Sequence, residues 1–205
     1  MFLRSRHSPW VRLALVLGAM GLFVLGYQWG NEYQRRHAKP PQISGVLVRP
    51  PAAIPGFRLE DPLGRAFDQD TLGAGWTLLT FGDLSGVEGQ LAIQRLLDVY
   101  NRVADEEGLH RYLRLVLVTT TDAPNLARDF ARLSPALYVL SGDAAELQRL
   151  RAALGVGPEA EQPLFVFAPG GYLVALLTGR SDGAGLAADL RALHQGLHAL
   201  LAEGT

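Results

Sequence analysis

"WTLLTFGDLSGVEGQL", Trp76 to Leu91, decides the fold. Its first six residues, "WTLLTF", are an apolar run of the length of a buried strand. From Val87 the pattern changes. Ile93, Leu96, Leu97, Tyr100, Val103 and Ala104 recur at helical spacing, which predicts a helix over 87–107, ended by Gly108. The junction between them, "FGDLSGVEGQL", has the shape of an active-site loop: a strand end feeding a helix start. It carries glycines, Asp83, Ser85, Glu88 and Gln90. Asp83 or Ser85 is placed to cap the helix, and Glu88 suits its positive first turn. As paired carboxylates, Asp83 and Glu88 are also the candidates for acid–base chemistry. Ser85 has no His nearby in sequence and does not match a G-x-S-x-G elbow.

Working outward, "FRLEDPLGRAF" reads as two short strands around the turn Asp61-Pro62-Leu63-Gly64. "YLRLVLVTT" (112–120) and "ALYVLSG" (136–142) are further strands. Between them lies a helix with Asp122 as N-cap and Leu126, Phe130 and Leu133 inward. "DAAELQRLRAAL" opens with a capping box, Asp143 to Glu146. "PLFVFAPGGYLVALLTG" is a hairpin turned at Pro169-Gly170-Gly171. The last helix carries Leu186, Leu190, Leu193, Leu197 and Leu200 on one face. Parallel strands joined by helices, closed by a hairpin and a helix, give an α/β three-layer sandwich of thioredoxin-like order with an N-terminal β-hairpin.

The chain of 205 residues contains no cysteine, which excludes disulfides, thiol nucleophiles, thiolate metal sites and iron–sulfur clusters. Residues 1–40 hold six of the 19 basic residues and one acid of 20, which leaves 13 basic and 19 acidic residues in 41–205, a net −6. That acidic body argues against nucleic-acid binding.

"WVRLALVLGAMGLFVLGYQWG" (10–30) is apolar apart from Arg12 and Gln28, with no charge from Leu13 to Tyr27. About 20 helical residues cross a hydrocarbon core of about 30 Å. Trp10, Tyr27 and Trp29 fall where aromatic belts form. A cleaved signal peptide would end in small residues, and "GYQWGNEYQRR" has none at the needed spacing. The reading favoured is an uncleaved single-pass anchor after a cytoplasmic stretch, 1–9. The N-terminus is then inside and the domain outside the cytoplasmic (inner) membrane, in a periplasm where there is one. Gly26 and Gly30 form a G-x-x-x-G at the membrane edge. Residues 31–56, with five prolines between Pro40 and Pro55, read as a stiff linker, and 57–205 as the domain.

Three segments then resemble the Sco/SenC family of membrane-anchored copper chaperones. "GVLVRPPAAIPGFRLEDPLGRAFDQDTLGAGWTLLTFG" is similar to that family's entry: a Pro-rich approach, F-x-L-x-D-x-x-G-x-x-F, a short helix, then W-T-L-L-x-F-G. "DAPNLARDFARLSPALYVLSGDAAELQRLRAALGV" resembles its D-T-P-x-x-L…Y-x-x-x-F…L-T-G segment, and "LFVFAPGGYLV" its I-Y-L-V-D-P-x-G hairpin. The family motif F-G-x-T-H-C-P-x-x-C-P with a distant His holds Cu(I), a soft ion. Aligned from Phe81-Gly82, its two Cys positions fall on Gly86 and Gln90, and its His near Ala160, Glu161 or Gln162. The family's copper binding and thiol exchange therefore do not carry over, and no cofactor is expected. What the resemblance implies is a non-catalytic accessory role in cytochrome c oxidase assembly, with oxidase subunits or a copper chaperone as partners. The docking loop would be Asp83, Leu84, Ser85, Gly86, Val87, Glu88, Gly89 and Gln90, faced by Pro163.

Pro163 sits where thioredoxin folds often place a cis-proline; it is equally a strand-start proline. Gly86 and Gly89 leave the helix start bare, open to close approach by a partner. His194 and His198 share a helix face at a spacing that zinc sites use, with His110 elsewhere; as amphipathic edge residues they need no metal. Two other classes stay open: a membrane-tethered adaptor unrelated to respiration, which an exposed apolar patch near Val87 and Leu91 would suit, and an enzyme built on Asp83 and Glu88.

Overall fold

The computed structural model describes residues 9–36, 41–119, 123–156, 163–178 and 182–197. It divides into two units, Met1–Lys39 and Pro40–Thr205. The first is the helix α1, Pro9–Arg36, whose side chains are described over 15–28 and are exposed throughout. Among the described residues no helix is long and apolar enough to cross a membrane. The part of α1 whose side chains are described, 15–28, is uncharged but shorter than the roughly 20 residues a hydrocarbon core needs. Trp10, Arg12, Trp29 and Gly30 lie outside that part.

The second unit runs β1 (Val46–Ala53), β2 (Arg58–Glu60), β3 (Ala66–Asp68), α2 (Gln69–Gly73), β4 (Trp76–Phe81), α3 (Val87–Arg102), α4 (Glu107–His110) and β5 (Leu113–Val118). It continues with α5 (Pro124–Ala131), β6 (Leu137–Leu140), α6 (Ala144–Ala153), β7 (Leu164–Ala168), β8 (Tyr172–Leu177) and α7 (Gly183–Gln195). Six strands form a mixed sheet in the order β1-β8-β7-β4-β5-β6, and β2 pairs with β3 apart from it. β4 is parallel to β5 and antiparallel to β7. All six β4 residues are buried, as a strand covered on both faces must be. Trp76 and Leu78 join a core with α3, α5 and α7. Leu79 and Phe81 join a second core with Phe67, Leu72, Leu147 and Leu150 from the hairpin, α2 and α6. The expected three layers are present.

Several expectations need correction. Residues 46–53, read as linker, are the edge strand β1 on β8. Pro50 and Pro51 disguise it, and an edge tolerates them because it has an unpaired side; the register breaks between Leu47 and Ala52. α3 stops at Arg102 rather than 107, and Gly108 lies inside α4. The Arg191 guanidinium from α7 donates to the Arg102 carbonyl and pairs with Asp105 at 2.8 Å and Glu106 at 3.2 Å, so the chain turns away. The buried stripe of α3 is Ile93, Leu96 and Val99, followed by Val103; Ala104 is exposed. α5 begins after Ala123, not on an Asp122 cap, and Asp122 lies outside the described residues. Leu133 follows the end of α5 and is exposed; Ala127 and Ala131 are the buried residues of that helix. Leu200 also lies outside the described residues.

The capping box on α6 is half formed. Asp143 accepts from the Glu146 amide at 2.8 Å, but the Glu146 carboxylate accepts from the Arg58 amide at 2.8 Å and ties down the hairpin. At the other sheet edge, the buried Asp61 carboxylate accepts from the amides of Leu63 (3.0 Å) and Arg65 (2.8 Å) and from Arg65 Nε (2.5 Å). Arg65, so held, donates to the carbonyls of Pro135 (3.0 Å) and Leu137 (2.6 Å) and lies over the Tyr138 ring. A guanidinium fork thus occupies the Leu137 carbonyl of edge strand β6 and that of Pro135 just before it, which another strand would seek.

Arg65→Ala is expected to cost about 2 kcal/mol in urea unfolding, because it strips the buried Asp61 of its cation. It should also raise concentration-dependent association on gel filtration; Arg65→Lys, a point charge without the fork, should recover part of the stability but not the block on association. A second expectation concerns pH. Asp68 caps α2; hydrogen bonds from the Thr71 amide and then its hydroxyl hold the Asp68 carboxyl below its ordinary value of 3.8. The folded value lies below the unfolded one, so the cap's contribution is whole above 3.8 and is lost as pH falls through the depressed value. Amide signals of α2 in an NMR titration should move there, and Asp68→Asn should abolish that step.

Candidate functional site

The loop 82–86 leaves the carboxyl end of β4 and enters α3. The Gly82 amide donates to the Val118 carbonyl at 3.1 Å, so the sheet ladder runs one residue past β4. The chain then turns on Asp83. Its carboxylate accepts from the Ser85 amide at 2.9 Å and the Ser85 hydroxyl at 2.7 Å, and its carbonyl accepts from the Gly86 amide at 3.1 Å. Leu84 is fully buried and pins the middle of the loop to the core.

Two expectations about this loop change. Neither Asp83 nor Ser85 caps α3: the N-cap is Gly86, which has no side chain to offer, and the Asp83 carboxylate serves the turn before it. Gly89 is not bare surface. A β-carbon there would stand 2.1 Å from the Asp83 carbonyl oxygen and 3.0 Å from the Leu84 nitrogen, and one on Gly82 would stand 3.1 Å from Gly89 Cα. The close approach that glycine permits is made by the loop's own backbone. Gly86 does have room, with its nearest neighbour at 3.6 Å. Glu88 is exposed in the first turn, as expected.

The outward surface of this junction is Asp83, Ser85, Val87, Glu88, Gln90 and Leu91. Val87 is 73 % and Leu91 50 % exposed, one turn apart on the same face. Pro163 lies opposite the loop's base, its carbonyl accepting from the Thr80 hydroxyl at 3.3 Å. The bond from Gln162 to Pro163 lies outside the described residues, as do Ala160, Glu161 and Gln162; the cis peptide among those described is Arg49–Pro50.

The histidines are elsewhere. His194 packs edge-on to Trp76, at the start of β4, about 16 Å of strand from Phe81. His110 lies against Tyr100, its ring centroid 4.1 Å away, and His198 is outside the described residues. Among the described residues no group of three His, Asp or Glu could hold a metal. At the two positions that the resemblance aligns with cysteines stand Gly86, without a side chain, and the exposed amide of Gln90, which offer Cu(I) no soft donor. Asp83 and Glu88 face outward. A cleft of about 500 Å³, where Glu60, Thr119, Arg128 and Ser141 meet at the carboxyl ends of β5 and β6, has neither of them in its lining.

Sequence reading missed Asp189, an acid inside the leucine stripe of α7. It is buried and accepts from the Ser44 amide at 3.0 Å, tying the domain's entry to its last helix. The signal was there: an acid three residues after Leu186 and next to Leu190.

Gly89→Ala is expected to lower stability by more than about 2 kcal/mol, because the β-carbon meets backbone that cannot rotate away. Gly86→Ala has room for its β-carbon and should cost about 1 kcal/mol or less, through the poorer N-cap alone. Thermal unfolding of the two variants side by side checks the packing.

No protein-family model matches the sequence, and no curated protein matches it significantly. Solved structures do match the fold. Copper-bound ScoI of Arabidopsis thaliana aligns with a TM-score of 0.60 at 16 % identity, over 70 % of this chain and 99 % of that one. Apo Sco1 of Thermus thermophilus aligns with 0.60 at 22 %, over 74 % and 97 %. BsSco, described as a member of the Sco family of cytochrome c oxidase assembly proteins, aligns with 0.57 at 14 %, over 71 % and 96 %. The structural neighbours of this cysteine-free chain thus include Sco/SenC proteins, and the fold it shares with them is the thioredoxin-like α/β fold with a mixed sheet.

Proposed function

We propose that this protein is a non-catalytic, Sco-like accessory factor in cytochrome c oxidase assembly, acting by protein binding. Residues 10–30 would anchor it in the cytoplasmic membrane with residues 1–9 inside and the domain outside. The observation that carries the reading is the β4–α3 loop. Its backbone is built and held, while the positions that would carry thiolates are Gly86 and Gln90. A protein that docks but does not handle copper needs the first and not the second. The uncharged run from Leu13 to Tyr27, within one helix of 28 residues, supports the anchor.

A membrane-tethered adaptor outside respiration is the second reading, and the exposure of Val87 and Leu91 favours it equally. Affinity capture from detergent-solubilised membranes separates the two. Recovery of oxidase subunits or of a copper chaperone, lost on Leu91→Asp, supports the assembly role; recovery of neither counts against it.

The chemistry has its own test. Cu(I) titration should give no stoichiometric binding to the unaltered chain. The double substitution Gly86→Cys with Gln90→Cys should create a dithiol that takes up about one Cu(I), since Gly86 has room for a side chain. Tight Cu(I) binding by the unaltered chain would overturn the non-copper reading.

A further inference from the structure

We propose that the partner docks on the outward ridge of α3, Val87 and Leu91, through a protein segment that presents an apolar side chain with a Lys or Arg beside it. The proposal rests on the binding role proposed above and names the chemistry of its partner.

Three observations converge. First, the loop backbone is not the contact. Gly82 and Gly89 are packed against each other and against the Asp83 carbonyl, so no partner backbone can approach there. Second, strand addition is disfavoured at both edges of the sheet. Arg65 occupies the carbonyls of Pro135 and Leu137 at β6, and Pro50 and Pro51 remove two donors from β1. What remains at the loop end is a helix side, with Val87 and Leu91 exposed one turn apart. Third, the charge around that ridge is ordered. Glu88 stands exposed beside Val87 and three residues before Leu91, and the Asp83 carboxylate at the loop end, engaged by Ser85, is a second acidic group there. Arg95, half-buried, comes one turn beyond Leu91. The ridge therefore has an acidic end at the loop and a basic end away from it, on a body of net −6 over 41–205. A complementary segment sets its cation at the loop end, which fixes its direction as well as its place. The same acids disfavour insertion into an anionic lipid surface.

The test uses the full chain in nanodiscs of zwitterionic lipid and two synthetic helical peptides with one apolar face. One is flanked by Lys, the other by Glu. The Lys-flanked peptide is expected to bind about tenfold tighter at low salt and to move the amide signals of Val87 and Leu91. Its advantage should shrink as salt rises, and Glu88→Lys should reverse it. Equal affinities, no binding, signal changes confined to other residues, or a preference untouched by Glu88→Lys would each overturn the proposal. So would shifts at Val87 and Leu91 on adding anionic lipid without peptide. An oxidase capture that succeeds beside equal peptide affinities would refute this inference and leave the assembly reading standing. A failed capture beside a clear Lys preference would do the reverse.

Discussion

The contact between the Asp83 carbonyl and Gly89 is the constraint on which the candidate site depends. With 2.1 Å from that oxygen to where a β-carbon would stand, only glycine fits. This lets the first turn of α3 fold down on the loop that precedes it. Gly82 has the same need from the other side, with Gly89 Cα at 3.1 Å, so the strand end and the helix start meet backbone to backbone. Leu84 then fills the core beneath, and the Asp83–Ser85 turn closes the loop above. Every outward residue of the junction owes its direction to this packing. Val87 and Leu91 point to solvent because Gly89, midway between them, and Ile93 and Leu96 beyond them point in.

The rest of the domain frees that surface by settling its own edges. A six-stranded open sheet has two rows of unpaired backbone groups, and either could recruit another chain. At β6 the hairpin turn presents Arg65, held from within by a buried carboxylate. At β1 two prolines and an irregular register do the work. Asp189 fastens the entry to β1 through Ser44, so the edge strand is tied at its start as well as along β8. Other apolar side chains are exposed, among them Val46, Tyr112 and Leu133, but Val87 and Leu91 stand one turn apart on one helix face. They lie where two neighbouring acids give them a direction.

Much of the fold was legible because it rests on periodicity. The strands at Trp76, Leu113, Leu137 and Leu164 and the hairpin at Gly170 follow from apolar runs and turn residues, which report local geometry directly. What was hidden depends on residues far apart in sequence. β1 was masked by Pro50 and Pro51, whose tolerance is visible only once β8 lies on one side of it and nothing on the other. The end of α3 was misplaced because Arg191, 89 residues away, takes the carbonyl that another helical turn would use. Leu133 looked inward because its spacing continued a helix that had already stopped. At the site, the glycines were visible but their purpose was not. A glycine that admits a partner and a glycine that admits its own chain are the same letter, and only the distance to the Asp83 carbonyl tells them apart.

That distinction bears on how such a loop can hold its shape without metal ligands. Where a loop is organised by the metal it binds, the binding free energy is part of the folding free energy, and removing the ligands removes the loop. Here the loop is organised by Gly82, Leu84, Gly89 and the Asp83 turn, none of which stands at a position aligned with a family ligand. Gly86 and Gln90 are therefore permissive positions. One would take a β-carbon in ordinary contact with Asp83 and the other faces solvent, and neither side chain is needed to hold the backbone. On the function proposed above, Gly86 and Gln90 would leave the loop without a soft-metal donor while the ridge on α3 keeps its shape. A surface that holds its shape without metal chemistry is one on which binding alone can be selected.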